Sequence, residues 1–175
     1  MLAADGSTET YLVSCADEAL NLIKEKPQGV GVDAPLWWSS GRSSDRQADQ
    51  WIRKKYKIQS GTVQTANSLR GAALVQGAIF VDRLRERFPG APVTEAHPKA
   101  LLIAMKIEKW VDFARRFSVH AGQMSEHERD AVIAAVAARE GFEGRWSTDL
   151  AENRNPSEQD PSSYWLSPIN YFWPA

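Results

Sequence analysis

Residues 29–38 read GVGVDAPLWW. The apolar run shows no alternation of apolar and polar positions. That is the pattern of a strand covered on both faces, as in a parallel sheet flanked by helices. Ala34-Pro35 cannot prolong such a strand, because proline brings no N–H to the ladder. The run therefore ends by delivering one carboxylate, Asp33, to the C-terminal edge of a buried strand. Upstream, residues 9–15 (ETYLVSC) read as a strand. Residues 16–26 (ADEALNLIKEK) place Ala19, Leu20, Leu22 and Ile23 at helical spacing and stop before Pro27. Strand, helix and strand within the first 36 residues open like a βαβ unit.

Downstream, SSGRSS (39–44) is a loop, and DRQADQWIRKKYK (45–57) reads as a basic helix with Asp45 at its N-cap. SLRGAALVQGAIFVDRLRERF (68–88) is a long helix stopped by Pro89-Gly90. APVTEAHP (91–98) is a second short strand ending in polar residues before a proline. KALLIAMK and EKWVDFARRF are further helical segments. SEHERDAVIAAVAAREG (125–141) is the best-delimited helix, with a Ser125/Glu128 capping box at its start and Gly141 closing its end. Residues 1–147 then form one α/β domain. Residues 148–175 form a tail wrapped on its surface, with Tyr164, Trp165, Tyr171, Phe172 and Trp173 as anchors.

With 175 residues, 43% hydrophobic and 25% charged, the chain suits one domain with a real core. A net charge of -1 means that any anionic partner would need a local basic patch. The single cysteine, Cys15, rules out an internal disulfide framework and fits a reducing cytoplasm. No run of about eighteen apolar residues is present, so no membrane partner is expected. One Cys and three His argue against structural zinc. Phosphate loops and dinucleotide-binding glycines are absent too.

Three acids stand out by their setting. Asp33 and Glu95 end the two strands, and Asp130 lies early in the capped helix, with His127 before it. Carboxylates at the ends of neighbouring parallel strands face the crevice where α/β sheets bind ligands. Hard cations such as Mg²⁺ take one or two protein carboxylates each, and such ions serve phosphodiester hydrolysis. Each acid also has a plainer reading: a turn residue for Asp33, a helix-start partner for Glu95, a macrodipole stabiliser for Asp130. Asp130 shares its face with Ala134, Ala137 and Ala138, a small-residue stripe that suits close packing on a sheet. Arg42, Arg46, Arg53, Lys54, Lys55, Lys57 and Arg70, interleaved with Trp37, Trp38, Trp51 and Tyr56, suit nucleic-acid contact. A solvated helix flanked by core aromatics reads the same way.

The ordered elements GVDAPLWW, GR, DRQADQWIRKK, NSLRG, TEAHPKALL and HERDAVIAAVAARE resemble a domain-of-unknown-function family described as predicted RNase H-like nucleases. The likeness runs from about residue 10 to residue 145, and VDAPL and the E-x-H-P element carry most of its specificity. His127-x-x-Asp130-Ala131 is also similar to the last acidic motif of Holliday-junction resolvases. The resemblance implies a mixed sheet flanked by helices and a Mg²⁺- or Mn²⁺-dependent nuclease. Asp33 and Asp130 would hold the metal, Glu95 would act as ligand or general base, and His97 and His127 would lie behind them or touch substrate. Arg42, Arg46 and Arg70 would contact phosphates. RNase H-like domains begin with a hairpin whose first strand bears the principal acid. Asp5 lies only 28 positions before Asp33, too close for two strands and a helix. The chain is therefore expected to lack that first strand and to be inactive by itself, unless Asp5 serves on a shortened one. An open sheet edge would then favour a homodimer. A non-catalytic RNase H-like module binding nucleic acid, a nucleotide or a protein is the alternative.

Overall fold

The structure, a computed structural model, describes residues 1–39, 45–64, 71–120, 122–152, 154–155, 158 and 165–174. Among them are six helices and four short strands. In chain order these are α1 (Ala16–Leu22), β1 (Val30–Val32), α2 (Gln47–Tyr56), α3 (Ala72–Arg87), β2 (Val93–Glu95), α4 (Pro98–Ala104), α5 (Trp110–Arg116), α6 (Glu126–Phe142), β3 (Thr148–Asp149) and β4 (Phe172–Trp173). The class is mixed α/β. No helix among the described residues is long and apolar enough to cross a membrane.

Two of the three strands read from the sequence pair with each other in parallel, Val30 opposite Val93 and Val32 opposite Glu95. Asp33 thus follows the last residue of β1, and Glu95 is the last residue of β2. The next layer comes from the far end of the chain. Asn170 donates its N–H to the Val93 carbonyl and accepts from the Glu95 N–H. The following residues pair antiparallel, Thr148 opposite Trp173. Within the tail 148–175, the described stretch 170–173 is therefore built into the strands. Tyr171 and Trp173 are fully buried, and Trp165 is exposed, while Tyr164 lies outside the described residues. Among the described residues β1 has a ladder partner on one side only.

The N-terminal residues also differ from expectation. Residues 9–15 form no strand; the segment before α1 makes only isolated bridges, Leu2 with Thr8 and Ser7 with His120. Asp5 is spent on its own Asp-Gly turn, where its carboxylate accepts the Ser7 N–H at 2.9 Å. It plays no part at the end of β1. Asp45 is not the cap of α2: Arg46 holds that position, and Asp45 pairs with Arg53 at 2.6 Å.

The capping box of α6 is present, with Ser125 accepting the Glu128 N–H and Glu128 accepting the Ser125 N–H. Gly141 does not stop the helix, which runs on to Phe142. A Cβ there would meet the ring of Phe172, so the glycine serves a close packing contact. The alanine stripe does the same against β1. A Cβ on Gly31 would lie 1.9 Å from the carbonyl oxygen of Ala134, and one on Gly29 would touch Phe142 and Ala138. Helix backbone and strand backbone are therefore in direct contact. Gly31→Ala is expected to cost about 1–3 kcal/mol through overpacking. Thermal unfolding checks it, and a Tm within about 1 °C of the wild type would refute the contact, since each kcal/mol moves a domain of this size by several degrees.

Candidate functional site at the C-terminal edge of the sheet

The packing just described sets the position of Asp130. Gly29 faces Ala138 and Gly31 faces Ala134, so α6 runs antiparallel to β1 across its face. Two strand residues advance about 6.6 Å and four helical residues about 6 Å, so the registers keep step. One step further on, Asp33 comes opposite Asp130. The electrostatics agree. Crowding by protein atoms around the Asp33 carboxyl is the largest effect, pushing its pKa up to about 6 even though the residue as a whole is exposed. His97 opposes the shift, Asp130 and Glu95 add to it, and Lys99 opposes it. The Asp130 carboxyl is likewise raised, first by partial burial, with Lys99 countering and Glu126 contributing. Two acids with raised pKa values thus lie within electrostatic reach of each other just past β1, of whose three residues Val32 alone is buried.

Glu95 does not join them. It is fully buried, although its place at a strand end and in the E-x-H-P element put it among the candidate reactive acids. Its carboxylate takes both terminal nitrogens of Arg46, at 2.6 and 2.7 Å, and the N–H of Leu36 at 2.9 Å. Burial alone would raise its pKa. The Arg46 charge and hydrogen bonds, with those of His97, outweigh burial and hold it at about 2. The Leu36 contact also explains the Ala34-Pro35 break: the chain leaves β1 and is pinned at once to the end of β2.

Arg46 was expected to contact phosphate, and the structure corrects that. It is fully buried, and all five of its N–H groups are engaged: two by Asp49 at 2.8 Å each, two by Glu95, and one by the Trp37 carbonyl at 3.3 Å. Its guanidinium also lies 4.2 Å from the centroid of the buried Trp37 ring. Such a network, complete in every donor, suits a buried guanidinium and leaves nothing to offer a ligand. Arg42 and Arg70, the other phosphate candidates, lie outside the described residues.

Asp49, Glu95 and His97 each place one ligand atom within 4.8 Å of the others, a buried spacing that could hold a metal ion. Here the cation bound to both carboxylates is Arg46. A dication there would have to displace a guanidinium from the core, so the donor set fits Arg46 better. Among the described residues no guanidinium bridges Asp33 and Asp130, and two partly exposed carboxylates suit a hard cation that keeps most of its water.

His97 links the two groups. Its Nε2 lies 3.2 Å from Glu95 Oε1. Because that carboxylate is ionised, Nε2 is the donor, which orients the ring beside Asp33. His127 is exposed, one turn of α6 before Asp130 and next to Glu126. Asp33 also lines a shallow groove of about 300 Å³, with Val13, Cys15, Val32, Gln76 and Phe80.

Sequence reasoning missed Asp49, Lys99 and Glu158, and named Tyr171 only as an anchor of the tail. The i, i+3 spacing of Arg46 and Asp49 was a signal for one of them, but it reads equally as a solvated helix pair. Glu158 accepts from Trp37 Nε1 and from the Gln47 N–H, both at 2.8 Å, so it fastens the tail to the start of α2. Nothing local in the sequence marks that. Tyr171 brings a buried hydroxyl that has no hydrogen-bond partner among the described residues, its ring 5.9 Å from those of His97 and Trp37.

The chain matches no protein-family model, no curated protein and no solved structure.

Proposed function

We propose that this chain is an RNase H-like, metal-dependent phosphodiester hydrolase acting on nucleic acid. The observation that carries the reading is that Asp33, next after the end of a parallel strand pair, and Asp130 of α6 lie within electrostatic reach of each other, with both carboxyls raised. Mg²⁺ or Mn²⁺, held by these two side chains, would supply a Lewis acid for the phosphoryl oxygen and the attacking water. Asp33 and Asp130 give up their excess proton affinity when a cation shares their charge. His97, steered by Glu95, orients groups beside Asp33, and His127 borders the site at the start of α6. The buried Arg46–Asp49–Glu95 assembly keeps the β1–β2 edge rigid, which a two-carboxylate site needs to hold its geometry.

The test is incubation of the protein with end-labelled single- and double-stranded DNA and RNA, with Mg²⁺, Mn²⁺ or EDTA. Cleavage of at least one substrate that requires the metal and disappears in Asp130→Asn is the expected result. Absence of cleavage, or cleavage untouched by EDTA, would contradict it.

A second reading, a non-catalytic module that binds nucleic acid, a nucleotide or a protein, is favoured by one observation. Glu95 is withdrawn into the Arg46 network, leaving two acids rather than three. That module would bind the same oligonucleotides without cutting them.

A further inference from the structure

Several cations of the basic stretch are otherwise engaged. Arg46 is sealed in the core, Arg53 is paired with Asp45, and Lys55 lies 4.3 Å from the centroid of the Trp51 ring. Lys99 is different. It is the second residue of α4, two positions after the His97 that follows β2, and its Nζ lies 2.7 Å from Glu126 Oε1. Both partners are largely exposed, at 61% and 68%. The ammonium also acts electrostatically on both Asp33 and Asp130. Glu126 of α6 thus pairs with a lysine whose charge also reaches Asp33, just past β1, and Asp130, one turn further along α6.

An exposed pair of this kind is weakly held, and lysine is a compact charge on a flexible stem. Once a dication has taken over the aspartates, the ammonium is repelled from it. Its best remaining partner is the phosphate whose oxygens the cation attracts to the same place. We propose that Lys99 is the phosphate-contacting side chain of this site, parked on Glu126 beside the two aspartates until a divalent cation replaces it there. The proposal rests on the metal-hydrolase reading above and names the group that meets its substrate.

Lys99→Met keeps the length and the apolar stem of an exposed residue, so the fold is unaffected. Two measurements test it. Calorimetric Mn²⁺ titration should show about tenfold tighter binding in the variant, because a competing positive charge has gone. Fluorescence anisotropy of a labelled single-stranded oligodeoxynucleotide in Ca²⁺ should show weaker binding. The slope of log affinity against log salt should be shallower by about 0.7, the value of one phosphate contact on a single strand. An unchanged salt slope, with Mn²⁺ bound by the wild type, would overturn the role of Lys99 alone. A wild type with no affinity for Mn²⁺ would overturn it together with the hydrolase reading.

Discussion

Arg46→Met is expected to destabilise the domain by about 3–5 kcal/mol, the cost of removing one partner from a buried ion network. Against a total stability of about 5–15 kcal/mol, that is enough to leave much of the protein unfolded near 37 °C. The substitution strands Asp49 and Glu95, both fully buried, without a counter-charge. It also frees the Leu36 turn and loosens His97, because Glu95 holds both. Urea unfolding followed by circular dichroism measures the loss. Replacing Asp49 and Glu95 with apolar residues in the same chain should recover much of it, since the cost arises from stranded charge rather than from lost volume. Near-wild-type stability in the single variant would show that the network is not what holds the β1–β2 edge. The same network sets the acid limit. The pKa of Glu95 is depressed to about 2, so its contribution is present above the ordinary carboxylate range and is lost as pH falls from about 4.5 towards 2.

Asp33→Asn should have the opposite effect on stability and a large effect on function. The Asp33 carboxyl is raised to about 6, so the stability linked to it is present below pH 4 and is lost as pH rises through 6. At pH 7.5 without metal, the wild type carries an ionised carboxylate that its surroundings oppose, and asparagine removes that charge. Because the residue is exposed, solvent screens much of the effect; a rise in Tm of about 2–4 °C remains, shrinking to nothing near pH 4. Metal-dependent cleavage should meanwhile fall by more than about 100-fold. Losing even a residue behind a metal ligand costs 10–100-fold, and Asp33 is assigned to the ligand position itself. A variant that is no more stable at pH 7.5 and still active would remove Asp33 from the centre of the account.

Much of this site was legible because its determinants are local. An unalternating apolar run, Asp33 and Pro35 specify a strand that stops just before one carboxylate, although of its three residues only Val32 is buried. Ser125 and Glu128 specify where α6 begins, and Ala134, Ala137 and Ala138 specify the face it packs with. Gly29 and Gly31 supply the matching flat surface, and the register brings Asp130 to Asp33. The illegible part depends on partners far apart in the chain. Arg46 looked like part of a basic surface because its second carboxylate, Glu95, is 49 residues away. Glu95 looked reactive for the same reason, its true partner lying on another element. The aromatic tail gave no sign of lying beside β2 because two-residue strands carry no readable period. The segment before α1, rich in strand-forming residues, was misread because it has no neighbouring strand to pair with, and intrinsic preference alone does not make a ladder.

The central claim is that Asp33 and Asp130, and not the Arg46-bound interior group, take the cation. Calorimetric Mn²⁺ titration of the wild type, Asp33→Asn and Asp130→Asn at pH 7.5 tests it most directly. The account predicts measurable Mn²⁺ binding in the wild type and its loss in each variant while both remain folded. Equal Mn²⁺ affinity in all three proteins would contradict it.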